Sequence, residues 1–132
     1  MNNSTLAQTW AIIAGAVLVL VGVLGFIPNP IVGSASGALL ATDTLHNIVH
    51  LGTGALALIV YTNTRGEAKA NALIGFGILY AAIFVLVLVS PTLFGLFAVA
   101  ANAPLHIIHF ALAAVSLAVG FMARGSYEPM PA

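Results

Sequence analysis

Charged side chains are scarce in this chain. Of its 132 residues only 5% are Asp, Glu, Lys or Arg, whereas a soluble domain carries charge at roughly a quarter of its positions. Residues 1–42 and 70–123 contain no acid or base except histidine, and each stretch exceeds the roughly 20 apolar residues that cross a bilayer. With 61% hydrophobic residues, the composition predicts an integral membrane protein whose main partner is the lipid bilayer.

Several chemical classes are excluded by what is missing. The chain has no cysteine, which rules out disulfides, thiolate metal sites and iron–sulfur clusters. It has no basic run or stripe, so nucleic acid is not expected as a partner. There is no nucleophile elbow, no zinc-protease HExxH and no phosphate loop. The sequence therefore favours a non-catalytic protein over an enzyme.

Apolar blocks separated by short segments of Pro, Gly, Asn or charged residues dominate the chain. They predict transmembrane helices over about 10–27, 45–61, 72–89 and 105–122. Prolines lie between these blocks, where they are typical of helix ends because the residue before proline disfavours the helical conformation. The predicted fold is an all-α bundle of four transmembrane helices, forming a single domain over 1–132.

The few cations predict how the bundle is oriented. Arg65 and Lys69 lie in the second connection and Arg124 follows the fourth span, whereas the first and third connections contain no cation. By the positive-inside rule, the second connection and both termini face the cytoplasm. We therefore expect a multi-pass protein of the inner (cytoplasmic) membrane, with the beginnings of spans two and four facing outward.

The two halves of the chain resemble each other. Pro30 in the first half corresponds to Pro91 in the second, and Leu45-His46 recurs as Leu105-His106 sixty residues later. This pattern predicts a tandem repeat of two helix pairs, with both halves inserted in the same direction.

Histidine is confined to the beginnings of spans two and four. Asp43, His46, Asn47 and His50 fall at offsets of zero, three, four and seven, and so share one face of a helix. Ionisable residues inside a membrane are costly and tend to face the protein interior.

Span four repeats the arrangement. Asn102, His106 and His109 fall at offsets of zero, four and seven, with Pro104 in the first helical turn. The two spans together predict an outward-side cluster of the four histidines, His46, His50, His106 and His109, supported by Asp43, Asn47 and Asn102.

The cluster has several interpretations. It can fasten spans two and four together by hydrogen bonds, or serve as a docking feature, in a structural or accessory subunit of an oligomer or larger membrane complex. It can bind a transition metal or a b-type haem in an electron-transfer protein. It can also relay protons or ions. Asp43 is the one acid nearby, which argues against a di-iron carboxylate centre.

Several segments together resemble a known family. They are LGFIP at 24–28, SGALL at 36–40, LHNIVHL at 45–51, and the run from Asn102 to His109 before a glycine-bearing apolar span. In this order they are similar to the bacterial membrane family catalogued as domain of unknown function 4383. The resemblance implies four spans with asparagine or aspartate and histidine near the start of spans two and four. It implies no activity, because the family is uncharacterised.

Overall fold

A computed structural model describes residues 2–35, 37–92, 95 and 101–126. Within them the order of elements is α1 (Asn3–Leu24), β1 (Val32–Gly33), β2 (Leu40–Ala41), α2 (Thr44–Asn63), α3 (Glu67–Val89) and α4 (Ala103–Arg124). Each of the four helices is long and apolar enough to cross a bilayer. The predicted all-α membrane fold is confirmed. Segment 127–132, predicted to be cytoplasmic, and Ser36 of the SGALL segment lie outside the described residues.

Polar side chains determine where three helices begin. The side chains of Asn2, Asp43 and Asn102 each accept a hydrogen bond from the backbone N–H three residues later, and so cap α1, α2 and α4. α3 instead begins after Gly66, whose φ of 56° suits glycine. Because the caps lie outside the apolar blocks, the helices are longer than those blocks, and α1 starts at Asn3.

The helices pack as two antiparallel pairs, α1 with α2 and α3 with α4. Weaker contacts join α1 to α4 and α2 to α3, so the helices surround a common centre. Across this centre, α1 and α3 touch. Over their described lengths, 44–63 and 103–124, the backbones of α2 and α4 do not come into contact. The space between α2 and α4 is therefore filled by side chains.

Glycines bring the backbones of each pair close together. On α1 and α2, a Cβ atom at Gly54 would lie 2.8 Å from the backbone oxygen of Gly15. On α3 and α4, a Cβ atom at Gly77 would lie 3.0 Å from the backbone nitrogen of Leu117. Lipid supplies no hydrophobic force between helices, so close backbone packing of this kind is what holds the pairs together.

The first connection contacts α1 through β1 and α4 through β2. β1 and β2 pair in parallel, with Val32 opposite Leu40. Asn29 stabilises the turn before β1: its amide nitrogen donates to the carbonyl oxygens of Leu24 and Val32, and its side-chain oxygen accepts from two backbone N–H groups. This short pairing was not predicted, because its residues look like an ordinary Pro/Gly-rich loop.

The close approach of α1 and α2 at Gly54 is testable with two neighbouring glycines of α2. We expect Gly54→Ala to lower the stability by about 1–3 kcal/mol, because the new methyl group would be 2.8 Å from backbone atoms of α1 that cannot rotate away. Gly52→Ala is the control, because nothing lies within 4 Å of its added Cβ and alanine favours helix more than glycine does. The measurement is thermal unfolding in detergent. Equal changes in stability for the two variants would contradict the close approach of α1 and α2 at Gly54.

Candidate functional site

Three imidazoles converge between α2 and α4. Nε2 of His109 lies 3.4 Å from Nε2 of His46 and 3.4 Å from Nε2 of His50. One ring nitrogen from each of the three lies within 4.8 Å of the others. All three side chains are buried, with only 2–3% of their surface exposed. These residues are called the histidine triad below.

The positions of the triad on the helices explain its geometry. His46 and His50 are one turn apart on α2, so their rings lie next to each other on one face, with centroids 4.2 Å apart and planes inclined by 52°. His109 reaches the same place from α4, with ring centroids 5.3 and 5.7 Å from those of His46 and His50. The triad thus bridges the two helices whose backbones do not touch.

His106 lies outside the triad. Its ring faces the edge of Phe84 on α3, with centroids 6.4 Å apart. His109 is three positions after His106, so their side chains diverge by about 60° around the helix axis. Of the four histidines predicted to form one cluster, the structure brings together three.

The predicted supporting residues act at the ends of the histidine helices. A carboxylate oxygen of Asp43 accepts from the backbone N–H of His46 at 2.8 Å. The side-chain oxygen of Asn102 accepts from the backbone N–H of Leu105 at 3.4 Å, and its amide nitrogen donates to the carbonyl oxygen of Leu39 at 3.1 Å. Asn102 therefore ties the start of α4 to the first connection.

Asn47 belongs to the contact between α1 and α2. Its side-chain amide lies against Gly25, where any Cβ atom would collide with it. Asn47 is buried, and its side-chain oxygen has no hydrogen-bond partner among the described residues. The sequence predicted Asn47 as a supporting residue of the cluster; it follows His46 along α2, and its amide packs against Gly25 at the end of α1.

Hydrogen bonding satisfies His50 and His109 poorly. A neutral imidazole has one donor and one acceptor nitrogen, and a separation of 3.4 Å exceeds the usual range of about 2.7–3.2 Å. Within the described residues, Nδ1 of His50 and Nδ1 of His109 are buried without a partner. Three ring nitrogens that converge in this way are arranged as the ligands of a cation would be.

The surroundings of the triad are mostly apolar. Beside His50 is a pocket of about 140 Å³ whose other lining side chains are all apolar: Ala14, Val17, Leu18, Val21, Leu40, Leu105, Ile108 and Leu112. On another side is the ring of Tyr80, 6.0 Å from that of His109. The Tyr80 hydroxyl is 2.6 Å from the hydroxyl oxygen of Thr53.

Sequence reasoning missed two buried polar pairs below the triad. One is the Thr53–Tyr80 pair; in the other, Trp10 donates its indole N–H to the hydroxyl of Ser116 at 2.8 Å. The available indication was a lone polar residue in each apolar span, because such a residue needs a partner from another helix.

The fold and the triad define a multi-pass membrane protein of four apolar helices with a buried group of three histidines. A family model described as "Domain of unknown function (DUF4383)" matches residues 8–122, and the chain belongs to this family. This confirms the resemblance found in the sequence. Comparisons with curated proteins and with solved structures gave no match.

The double role of Asn102 is testable against the cap of α1, Asn2, whose side-chain oxygen accepts, in the described part of the chain, only from the neighbouring Ser4 and Thr5. We expect Asn102→Ala to lower stability by about 1–2 kcal/mol, because it removes both the cap of α4 and the bond to Leu39. Asn2→Ala is the control, because Asn2 caps α1 through a 2.8 Å bond from Thr5. Thermal unfolding in detergent measures both; a smaller loss for Asn102→Ala than for Asn2→Ala would contradict the link to the first connection.

Proposed function

We propose that this protein is a membrane protein that binds one transition-metal ion through Nε2 of His46, His50 and His109. The observation that carries the proposal is the pair of 3.4 Å separations centred on His109. Nitrogens bound to one ion at about 2.0–2.1 Å lie about 3.3–3.4 Å apart in a tetrahedral site and about 3.5 Å apart in a planar trigonal site. The two separations centred on His109 have this spacing, and all three ring nitrogens lie within 4.8 Å of one another.

The bound ion would also fasten the two helix pairs. His46 and His50 belong to the first pair and His109 to the second, and α2 and α4 have no backbone contact over 44–63 and 103–124. A metal bridge between them replaces the missing packing. In this view the protein is a non-catalytic structural or accessory subunit, in an oligomer or larger membrane complex, and the ion is part of its architecture.

Metal-free fastening is the second candidate, supported by the same ring contacts between α2 and α4. The separations of 3.4 Å favour the ion, because hydrogen bonds of this length contribute little. The two hypotheses differ in an observable way: only the first predicts that the purified protein retains metal and loses it with any one of the three histidines.

Haem and ion conduction have less support. A haem held by two histidines places its macrocycle between the two imidazoles, but the Nε2 atoms of His46 and His50 are each only 3.4 Å from that of His109. Conduction needs polar groups that continue through the bundle. In the described part of the chain, the next hydroxyls, those of Thr53 and Tyr80, bond to each other.

The metal proposal is tested by elemental analysis of the protein purified in detergent, with an affinity tag that contains no histidine. We expect about one equivalent of a transition metal in the wild type and after His106→Ala, and loss of the metal after His50→Ala or His109→Ala. His106→Ala is the matched control, because His106 is half-buried on α4 but outside the triad.

Thermal unfolding provides an independent readout. Added metal at about 100 times its dissociation constant stabilises a binding protein by about 2.7 kcal/mol, so it is expected to raise Tm in the wild type and in His106→Ala only. If the Tm of the metal-free wild type does not rise with any first-row metal, the proposal is contradicted. Metal-free fastening of α2 to α4 is then the remaining candidate.

The orientation also forms part of the proposal, with both termini cytoplasmic and the triad near the outer surface of a cytoplasmic membrane. It is supported by Arg65, Lys69 and Arg124, which lie at the other end of the bundle from the triad. A reporter fused after Ala132 is expected to be protected from a protease added to intact cells. Cleavage of the reporter in intact cells would overturn the orientation.

A further inference from the structure

We propose that the triad selects cuprous copper, Cu(I), over divalent ions such as Zn²⁺. This inference rests on the proposed metal-binding function and names the ion. Three observations carry it: the charge at this end of the bundle, the number of the nitrogens, and the apolar wall beside His50.

The charge at the triad suits a monovalent cation. Neutral imidazoles contribute no negative charge, and Asp43 is the single formal charge among the described residues at this end of the bundle. Both α2 and α4 begin here and both α1 and α3 end here, so the positive and negative ends of the helix dipoles oppose each other and supply no net negative charge. Asp43 balances one unit of positive charge, whereas a divalent ion would leave a second unit buried without a counter-charge.

Burial makes that second unit costly. The three histidines are almost completely buried, and the energy needed to transfer an ion from water into a protein interior rises with the square of its charge. The transfer of a divalent ion is therefore about four times as costly as that of a monovalent ion of the same size. A site without a second carboxylate offers little compensation.

The coordination number points the same way. Among the described residues, the group of possible ligands contains three residues and no more. Zinc sites are almost always four-coordinate, with water as the fourth ligand where the protein supplies three. Cu(I) has a filled d shell and is satisfied by three ligands in a plane. The two separations of 3.4 Å centred on His109 fit a tetrahedral and a trigonal site about equally, so it is the number of ligands that favours Cu(I).

The wall beside His50 does not favour a fourth, aqueous ligand. A bound water needs two to four polar partners, and the pocket of about 140 Å³ next to His50 is otherwise lined by apolar side chains such as Leu18, Leu105 and Leu112.

The separation of the ring nitrogens disfavours cupric copper. Its square-planar sites place neighbouring nitrogens about 2.9 Å apart and opposite ones about 4 Å apart, and neither agrees with 3.4 Å.

The test is an anaerobic titration of the metal-free protein in detergent with the Cu(I)–acetonitrile complex, in competition with a colorimetric Cu(I) chelator, and a parallel titration with Zn²⁺. We expect one Cu(I) per chain, bound at least about tenfold more tightly than Zn²⁺, in wild type and in His106→Ala but not in His109→Ala. X-ray absorption of the copper-loaded protein is expected to give three nitrogens at about 2.0 Å.

The outcomes separate the two proposals. Zn²⁺ bound as tightly as Cu(I), with the same dependence on His109, would overturn the selection of copper and leave the metal site standing. Binding of neither ion would overturn both proposals. Binding of Cu(I) that persists in His109→Ala would place the ion elsewhere and would also overturn both.

A variant with one added negative charge tests separately whether the charge near the triad determines which ion is preferred. Asn47→Asp preserves the shape of the side chain and adds a carboxyl group to the residue after His46, at a buried position. We expect it to raise Zn²⁺ affinity relative to Cu(I) by about tenfold. Asn71→Asp, on the exposed surface of α3 near its start, is the control and is expected to leave the ratio unchanged. An unchanged ratio in Asn47→Asp would contradict the role of charge.

Discussion

The contact of three imidazoles across the space between α2 and α4 is the interaction on which the rest of this structure depends. The helix pairs are held by close backbone packing, but the backbones of α2 and α4 do not come into contact over 44–63 and 103–124. His46, His50 and His109 fill that space. Polar rings are a costly way to fill a core, because apolar side chains would fill it without converging ring nitrogens or buried Nδ1 atoms such as those of His50 and His109.

The remaining features at this end of the bundle hold the triad in position. Asp43 and Asn102 fix the first residues of the two histidine helices, and Asn102 also binds the first connection through Leu39. Glycines such as Gly54 and Gly77 then set how closely each pair packs. Because the three histidines are on helices whose first residues are capped, small changes in helix rotation would be enough to separate the ring nitrogens.

Much of this was predictable from the sequence. Scarce charge and four apolar blocks predicted the fold, and LHNIVHL predicted the family; both predictions are confirmed. The tandem repeat, the orientation and the partners stay predictions. The sequence could not tell which histidine of α4 faces α2, since His106 and His109 differ by a small rotation that the packing of α3 on α4 determines. It also could not pair Thr53 with Tyr80, which requires knowing how α2 faces α3.

The central claim is that three of the four histidines share one ion through Nε2. It is tested most directly by NMR of protein labelled with ¹⁵N in the histidine rings, recorded in detergent before and after metal is added. The account predicts that the Nε2 resonances of His46, His50 and His109 shift to values typical of metal ligands, with His106 unchanged. Equal shifts of all four histidines, or shifts of none, would contradict it.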